Sequence, residues 1–170
     1  MKNKPLRIGN DISSKELKEV DILDRIYEIE KIYKKNMGFD KIFYSQSFIT
    51  RQTISRILYF NEIYKLIVDI PGVICEFGVQ WGSGLVNLIN LRGIYEPFNH
   101  SRIIHGFDTF TGLKEVSKKD GDFVNENDFS VSKSFYEHLE ELLNLHEKLS
   151  PISHIKKFQL HKGDAIIKSK

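Results

Sequence analysis

Residues 73–84 read "VICEFGVQWGSG". A short apolar run carries one acid, Glu76, and then Gly78, Gly82 and Gly84 follow in quick succession. The run from Gly72 to Val79 has the length and bounding glycines of a strand, and "GSGLVNLINL" at 82–91 has helical character. Glycines between a strand and a helix let the backbone approach a ligand closely, and the helix start offers free N–H groups. A glutamate inside the apolar run is costly to bury without a partner or a task. The stretch therefore reads as a ligand-binding turn at the end of a first strand.

The flanking sequence repeats the pattern. "RIIHGFD" at 102–108 reads as a second strand ending in an acid, and "KFQLHKGD" at 157–164 as a third. Between them "SFYEHLEELLNLHEKLSP" at 134–151 reads as a helix, with Ser134 and Glu137 as its capping box and Leu139, Leu142, Leu143, Leu145 and Leu149 as apolar positions. "AIIKSK" at 165–170 begins another helix. The order strand, helix, strand, helix, strand implies βαβ units and a parallel sheet. The polar stretch 114–133, "KEVSKKDGDFVNENDFSVSK", reads as a loop or lid.

Upstream, residues 1–12 are expected to be loosely ordered. Ser13 and Glu16 form a capping box for a helix with apolar residues at Leu17, Val20, Leu23 and Ile26, ending near Met37-Gly38. A second helix is expected from Thr50 to Val68, with Ile54, Ile57, Leu58, Ile63 and Leu66 on one side. The division predicted is a helical segment, 1–69, and a sheet domain, 70–170.

The bulk numbers set limits. The 170 residues suit one compact domain, with 41% apolar and 28% charged residues. A net charge of +2 lacks the basic footprint of a nucleic-acid binder. No apolar stretch reaches the ~20 residues of a membrane span. The N-terminus has no apolar signal-like run, and one cysteine, Cys75, excludes an internal disulfide. A cytoplasmic location is expected, with Cys75 buried in its apolar run. The six histidines lack ligand-like spacing, and the acids Asp120, Asp122 and Glu126 do not follow a calcium-loop pattern, so no metal site is expected.

The glycine pattern departs from the dinucleotide fingerprint G-x-G-x-x-G, because the gap after Gly78 is too wide. Asp108 at a strand end can accept the hydroxyls of a ribose, or it can cap the turn that follows. Asp164 is open between a helix cap and a ligand contact. Glu76 can serve the turn or form a salt bridge with the N-terminal helices. Trp81 reads as a packing or lid residue.

Taken together, "GVICEFGVQWGSG", "RIIHGFDTFTGL" and "FQLHKGDA" resemble successive motifs of the macrocin O-methyltransferase-like family of S-adenosylmethionine-dependent methyltransferases. The resemblance covers roughly residues 50–113 and 155–167. It implies an α/β fold in which N-terminal helices precede the first βαβαβ half of a doubly wound, Rossmann-like methyltransferase sheet. It further implies that Gly78 and Gly82, with Ser83 in the same turn, make room for the methionine part of the cofactor, and that Glu76 orients the turn or the amino group. Asp108 would bind the ribose, Thr109 and Phe110 would border the adenine, and Asp164 would approach the adenine amino group. The turn differs from the family's usual form at Trp81 and in the order Gly82-Ser83-Gly84, which leaves the register of Gly84 open.

The implied reaction is methyl transfer to a hydroxyl of a sugar, glycan or other natural product. The family's later motifs, which supply a divalent metal such as magnesium and the catalytic base, have no match here. The chain is therefore expected to be the N-terminal part of a longer enzyme or a truncated product, with catalytic residues unassigned. Homo-oligomerisation is left open. Two other readings stand beside it: an enzyme using NAD or a sugar nucleotide on the same sheet, and a non-catalytic interaction module with a degenerate nucleotide fold.

Overall fold

The computed structural model describes residues 5–38 and 41–168. The chain divides into two compact units, residues 1–56 and 57–170.

In the first unit, strand β1 (Leu6–Ile8) pairs antiparallel with β2 (Asp11–Ser13) around Gly9 and Asn10. This corrects the expectation of loose order over residues 1–12 where they are described. Gly9 takes φ 57, the left-handed conformation that a two-residue hairpin loop requires. Ser13 pairs with Leu6 at the end of β2 and its hydroxyl accepts the Lys15 N–H at 3.1 Å, three residues before the N-cap, so Glu16 and Glu19 form the capping box in place of Ser13 and Glu16. Helix α1 (Leu17–Tyr33) begins later, and the Glu16 N–H donates to the Glu19 carboxylate at 3.1 Å. A 3-10 turn at Lys34–Asn36 continues it, and Gly38 at φ 62 follows. Helix α2 (Lys41–Tyr44) and a second 3-10 turn, Ser45–Phe48, lead to α3 (Arg51–Ile67), within which residue 56 falls. No residue of α1 is fully buried, and an apolar cleft of about 510 Å³ opens beside Ile22, Ile26, Phe48 and Ile49.

The second unit holds three parallel strands, β3 (Ile74–Phe77), β4 (Ile104–Asp108) and β5 (Phe158–Lys162), in the order β3-β4-β5. Helix α4 (Ser83–Tyr95) joins the first two and α5 (Phe135–Leu149) the last two, while α6 (Ala165–Lys168) follows β5. The register places Ile74, Ile104 and Phe158 in one row. That row shares the core with Leu85, Leu88 and Ile89 of α4 and Leu139 and Leu143 of α5. This is the expected mixed α/β fold: one half of a doubly wound sheet with both crossover helices sharing its core.

Alternation along β3 puts Ile74 and Glu76 in the half-buried positions and leaves Cys75 and Phe77 exposed. The expectation of a buried Cys75 is thereby corrected. The same face carries a row of rings: Phe77 on Phe107 at 5.1 Å and Phe107 on His161 at 4.4 Å.

Helix α3 also differs from its sequence reading. Tyr64 is its fully buried residue, with Phe60 and Ile67 partly buried, whereas Ile54, Ile57, Leu58, Ile63 and Leu66 are exposed. The cause is polar. The Tyr64 hydroxyl donates to Glu96 at 2.6 Å, and buried Arg102 donates to the same carboxylate. Arg102 also donates to the carbonyls of Ile67 at 3.0 Å and Ile70 at 2.9 Å, capping the C-terminal end of α3 with a cation. Burial works against the charged form of Glu96, but hydrogen bonds from Arg102, Tyr64 and Asn99 outweigh it and hold its carboxyl below the usual range. Burial, followed by the Glu96 contact, pushes the Tyr64 phenol up.

A second buried ionic group ties α4 to α5. Arg92 pairs with Glu147 and donates to the Lys157 carbonyl at 2.6 Å, while Lys157 Nζ lies 2.9 Å from Glu147 Oε2. Ser134 makes no side-chain cap bond at the start of α5, so the capping box expected there does not form.

Candidate functional site

The three parallel strands end side by side. The Gly78 N–H donates to the Phe107 carbonyl at 3.0 Å, and the Gly163 N–H to the Asp108 carbonyl at 2.9 Å, so the ladder runs to the last residues of each strand. A cleft of about 480 Å³ opens beyond these ends, lined by Gly78, Gln80, Asp108, Thr109, Phe129 and Asp164 among others. Open α/β sheets bind ligands at this edge, outside the carboxyl ends of the strands.

The turn after β3 is built from unusual backbone. Gly78, Gln80 and Gly82 take φ 83, 46 and 77. Gln80 is the non-glycine among them, and such a residue keeps a left-handed conformation only where its surroundings hold it. Its N–H donates to Asp108 Oδ2 at 2.8 Å. Asp108 thus fixes the turn, and its Oδ1 accepts the Phe110 N–H. A carboxylate has about four acceptor sites, so two remain for hydroxyls in the cleft. The capping role and the ligand role of Asp108 are compatible on one side chain.

A side chain at Gly78 would meet nothing within 4 Å, which places this backbone against open space beside the cleft. Gly84 is different. A Cβ there would lie 1.9 Å from Glu76 Oε1. Its missing side chain admits the Glu76 carboxylate to the first turn of α4, where the helix dipole favours a negative charge. This gives Gly84 a function in the turn and gives the acid in the apolar run a location.

Of the residues selected from sequence, Gly78, Asp108, Thr109 and Asp164 line the cleft, and Glu76, Gly82, Ser83 and Phe110 are not in the lining. A Cβ on Gly82 would stand 2.3 Å from Leu139 Cδ1, so close packing of α5 calls for glycine there. Ser83 is exposed at the start of α4, and its carbonyl accepts from Asn87. Phe110 is 5% exposed and meets Tyr136 edge-on at 5.2 Å, which makes its side chain part of the core. Asp164 accepts the Ile166 N–H at 2.8 Å as a helix cap while also lining the cleft. Trp81 packs edge-on against Phe135 at 4.7 Å. The lining residues that sequence reading passed over include Gln80, Leu113, Lys114 and Phe129. Phe123 and Phe129 are the two aromatics of the stretch 114–133, and sequence offers no signal that separates the one that lines the cleft.

The chain is structurally similar to CalS11. One solved structure, a calicheamicin methyltransferase, matches with a TM-score of 0.81 and 30% identity over 91% of this chain and 61% of its own. A second, the apo form described as a TDP-rhamnose 3'-O-methyltransferase of calicheamicin biosynthesis, matches with a TM-score of 0.72 and 27% identity over 91% of this chain and 59% of its own. The chain thus spans about three fifths of the CalS11 chains. No family model matches the sequence, and no curated protein matches it. The sheet and its helices correspond to part of a Rossmann-like methyltransferase fold.

Among the described residues, no group of three or more His, Cys, Asp or Glu is placed to hold a metal ion. Among the same residues, no helix is long and apolar enough to cross a membrane.

Proposed function

We propose that this chain carries the cofactor-binding part of an S-adenosylmethionine-dependent O-methyltransferase of the macrocin O-methyltransferase-like type, acting on a hydroxyl of a sugar or related natural product. The observation that carries this reading is the strand-end cleft, with Asp108 at its centre and a left-handed glycine turn at its side, in a chain 30% identical to the calicheamicin methyltransferase CalS11.

The residues fit the nucleoside. Asp108 keeps acceptor sites for two ribose hydroxyls after accepting the Gln80 and Phe110 N–H groups. Gly78 offers bare backbone for the amino-acid end. Gly163 and Asp164 border the far side. When bound, S-adenosylmethionine supplies an electrophilic sulfonium methyl, so the protein's work is mainly positioning. Asp108 and the turn it holds fix the nucleoside at two points.

Isothermal titration of the folded chain with S-adenosylhomocysteine tests this, with NAD as the counter-ligand. Saturable one-to-one binding of S-adenosylhomocysteine and none of NAD is the expected result. The reverse preference, or silence toward both, would reject the reading.

A further inference from the structure

We infer that Phe129 is the stacking wall for the adenine of the cofactor; this rests on the reading of the cleft just given. The sheet order sets the direction. Asp108 ends the middle strand, the glycine turn follows β3 on one side, and Gly163-Asp164-Ala165 follow β5 on the other. A nucleoside with its ribose on Asp108 and its amino-acid chain at Gly78 sends its base toward the β5 side. Phe110 is packed into the core and has no ring surface to offer there. Among the described lining residues, Phe129 is the one aromatic side chain, and it shares the lining with Leu113 and Ala165.

The ring is also held for such a task. Phe129 is 39% exposed and its backbone sits at φ 63. An L residue keeps that conformation only where its neighbours impose it, and such residues gather at ligand clamps. The neighbours here are specific. The Leu113 N–H donates to the Asp128 carbonyl at 3.0 Å, and the Asn127 N–H to the Leu113 carbonyl at 2.8 Å. The buried Asp128 carboxylate accepts the Asn125 N–H at 2.8 Å. A Cβ on Gly112 would stand 2.4 Å from the Asp128 carbonyl, so only glycine lets the two segments meet. The segment after Asp108 and the segment bearing Phe129 are stitched together at their base. The acid for the ribose and the ring for the base are thereby positioned by one structure.

The test combines calorimetry with proton NMR of S-adenosylhomocysteine bound to the wild-type chain and to Phe129→Ala, Phe129→Leu and Phe129→Tyr. Stacking predicts upfield ring-current shifts of the adenine H2 and H8 protons in wild type and Phe129→Tyr, lost in Phe129→Ala and Phe129→Leu. Affinity should fall roughly 10- to 100-fold in Phe129→Ala, the range that loss of base–aromatic stacking brings. If Phe129→Ala does not fold, Phe129→Leu against Phe129→Tyr decides by the same shifts. Unchanged adenine shifts in the leucine variant would overturn the assignment while leaving the cofactor reading intact. A folded wild-type chain that does not bind S-adenosylhomocysteine would overturn the cofactor reading and this assignment with it.

Discussion

Replacing Gly84 by alanine should be harmful in the wild-type chain and helpful once Glu76 is gone. The added Cβ would lie 1.9 Å from Glu76 Oε1, 2.7 Å from Cδ and 2.9 Å from Oε2, so the carboxylate must leave its place. A negative charge at a helix N-terminus contributes about 0.3–2 kcal/mol, and that contribution is lost when the carboxylate moves. Against it stands the gain from alanine over glycine inside a helix, at most about 1 kcal/mol and less in the first turn. The net expectation for Gly84→Ala is a loss of about 1 kcal/mol. In a Glu76→Ala background the obstacle is absent, and the same change should gain about 0.5 kcal/mol. The coupling between the two positions is then about 1.5 kcal/mol, within the range for residues in contact. Glu76→Gln separates volume from charge, since it keeps the obstruction and removes the anion. Urea unfolding of the four-member cycle measures the coupling. Equal effects of Gly84→Ala in both backgrounds would refute the placement of Glu76 at the start of α4.

Three further outcomes follow from the buried groups and the open sheet face. Arg102→Ala leaves Glu96 and the α3 carbonyls of Ile67 and Ile70 without their cation, and unfolding should show a loss of about 3–5 kcal/mol, the usual cost of breaking a buried pair. Glu96 is held below its ordinary value of 4.5, so its contribution to stability is complete above that pH and disappears as pH falls through the lower folded value. Thermal melts taken from neutral pH downward through the carboxylate range should therefore be flatter in Glu96→Gln than in wild type. Cys75 is exposed, so a thiol reagent should titrate it in the native chain as fast as in urea; a slow native reaction would restore the buried reading.

The sheet was readable because strand, helix and turn signals agree. "VICEF", "IIHGFD" and "FQLHK" are apolar runs closed by glycine or an acid, and β3, β4 and β5 occupy them. Asp108 and Gly78 were readable as strand-end residues for the same reason. What stayed hidden depends on side-chain geometry. Cys75 sits outward because period-two alternation, rather than overall hydrophobicity, decides the face. Leu58 and Leu66 stay exposed on α3 because Tyr64 is drawn inward by Glu96, a residue thirty-two positions away. Phe110 and Phe129 look alike in sequence, and only the chain path through Gly112 and Asp128 separates a core ring from a cleft ring. Gly82 and Gly84 answer to Leu139 and Glu76, contacts that spacing alone does not reveal.

The most direct test of the central claim is an amide NMR titration of the chain with S-adenosylhomocysteine. The account predicts shifts confined to Gly78, Gln80, Asp108, Thr109, Phe129 and Gly163-Asp164-Ala165, with the apolar cleft beside Ile22, Ile26 and Phe48 unchanged. Shifts gathered instead at that N-terminal cleft, or a spectrum of the folded chain that does not change at all, would contradict it.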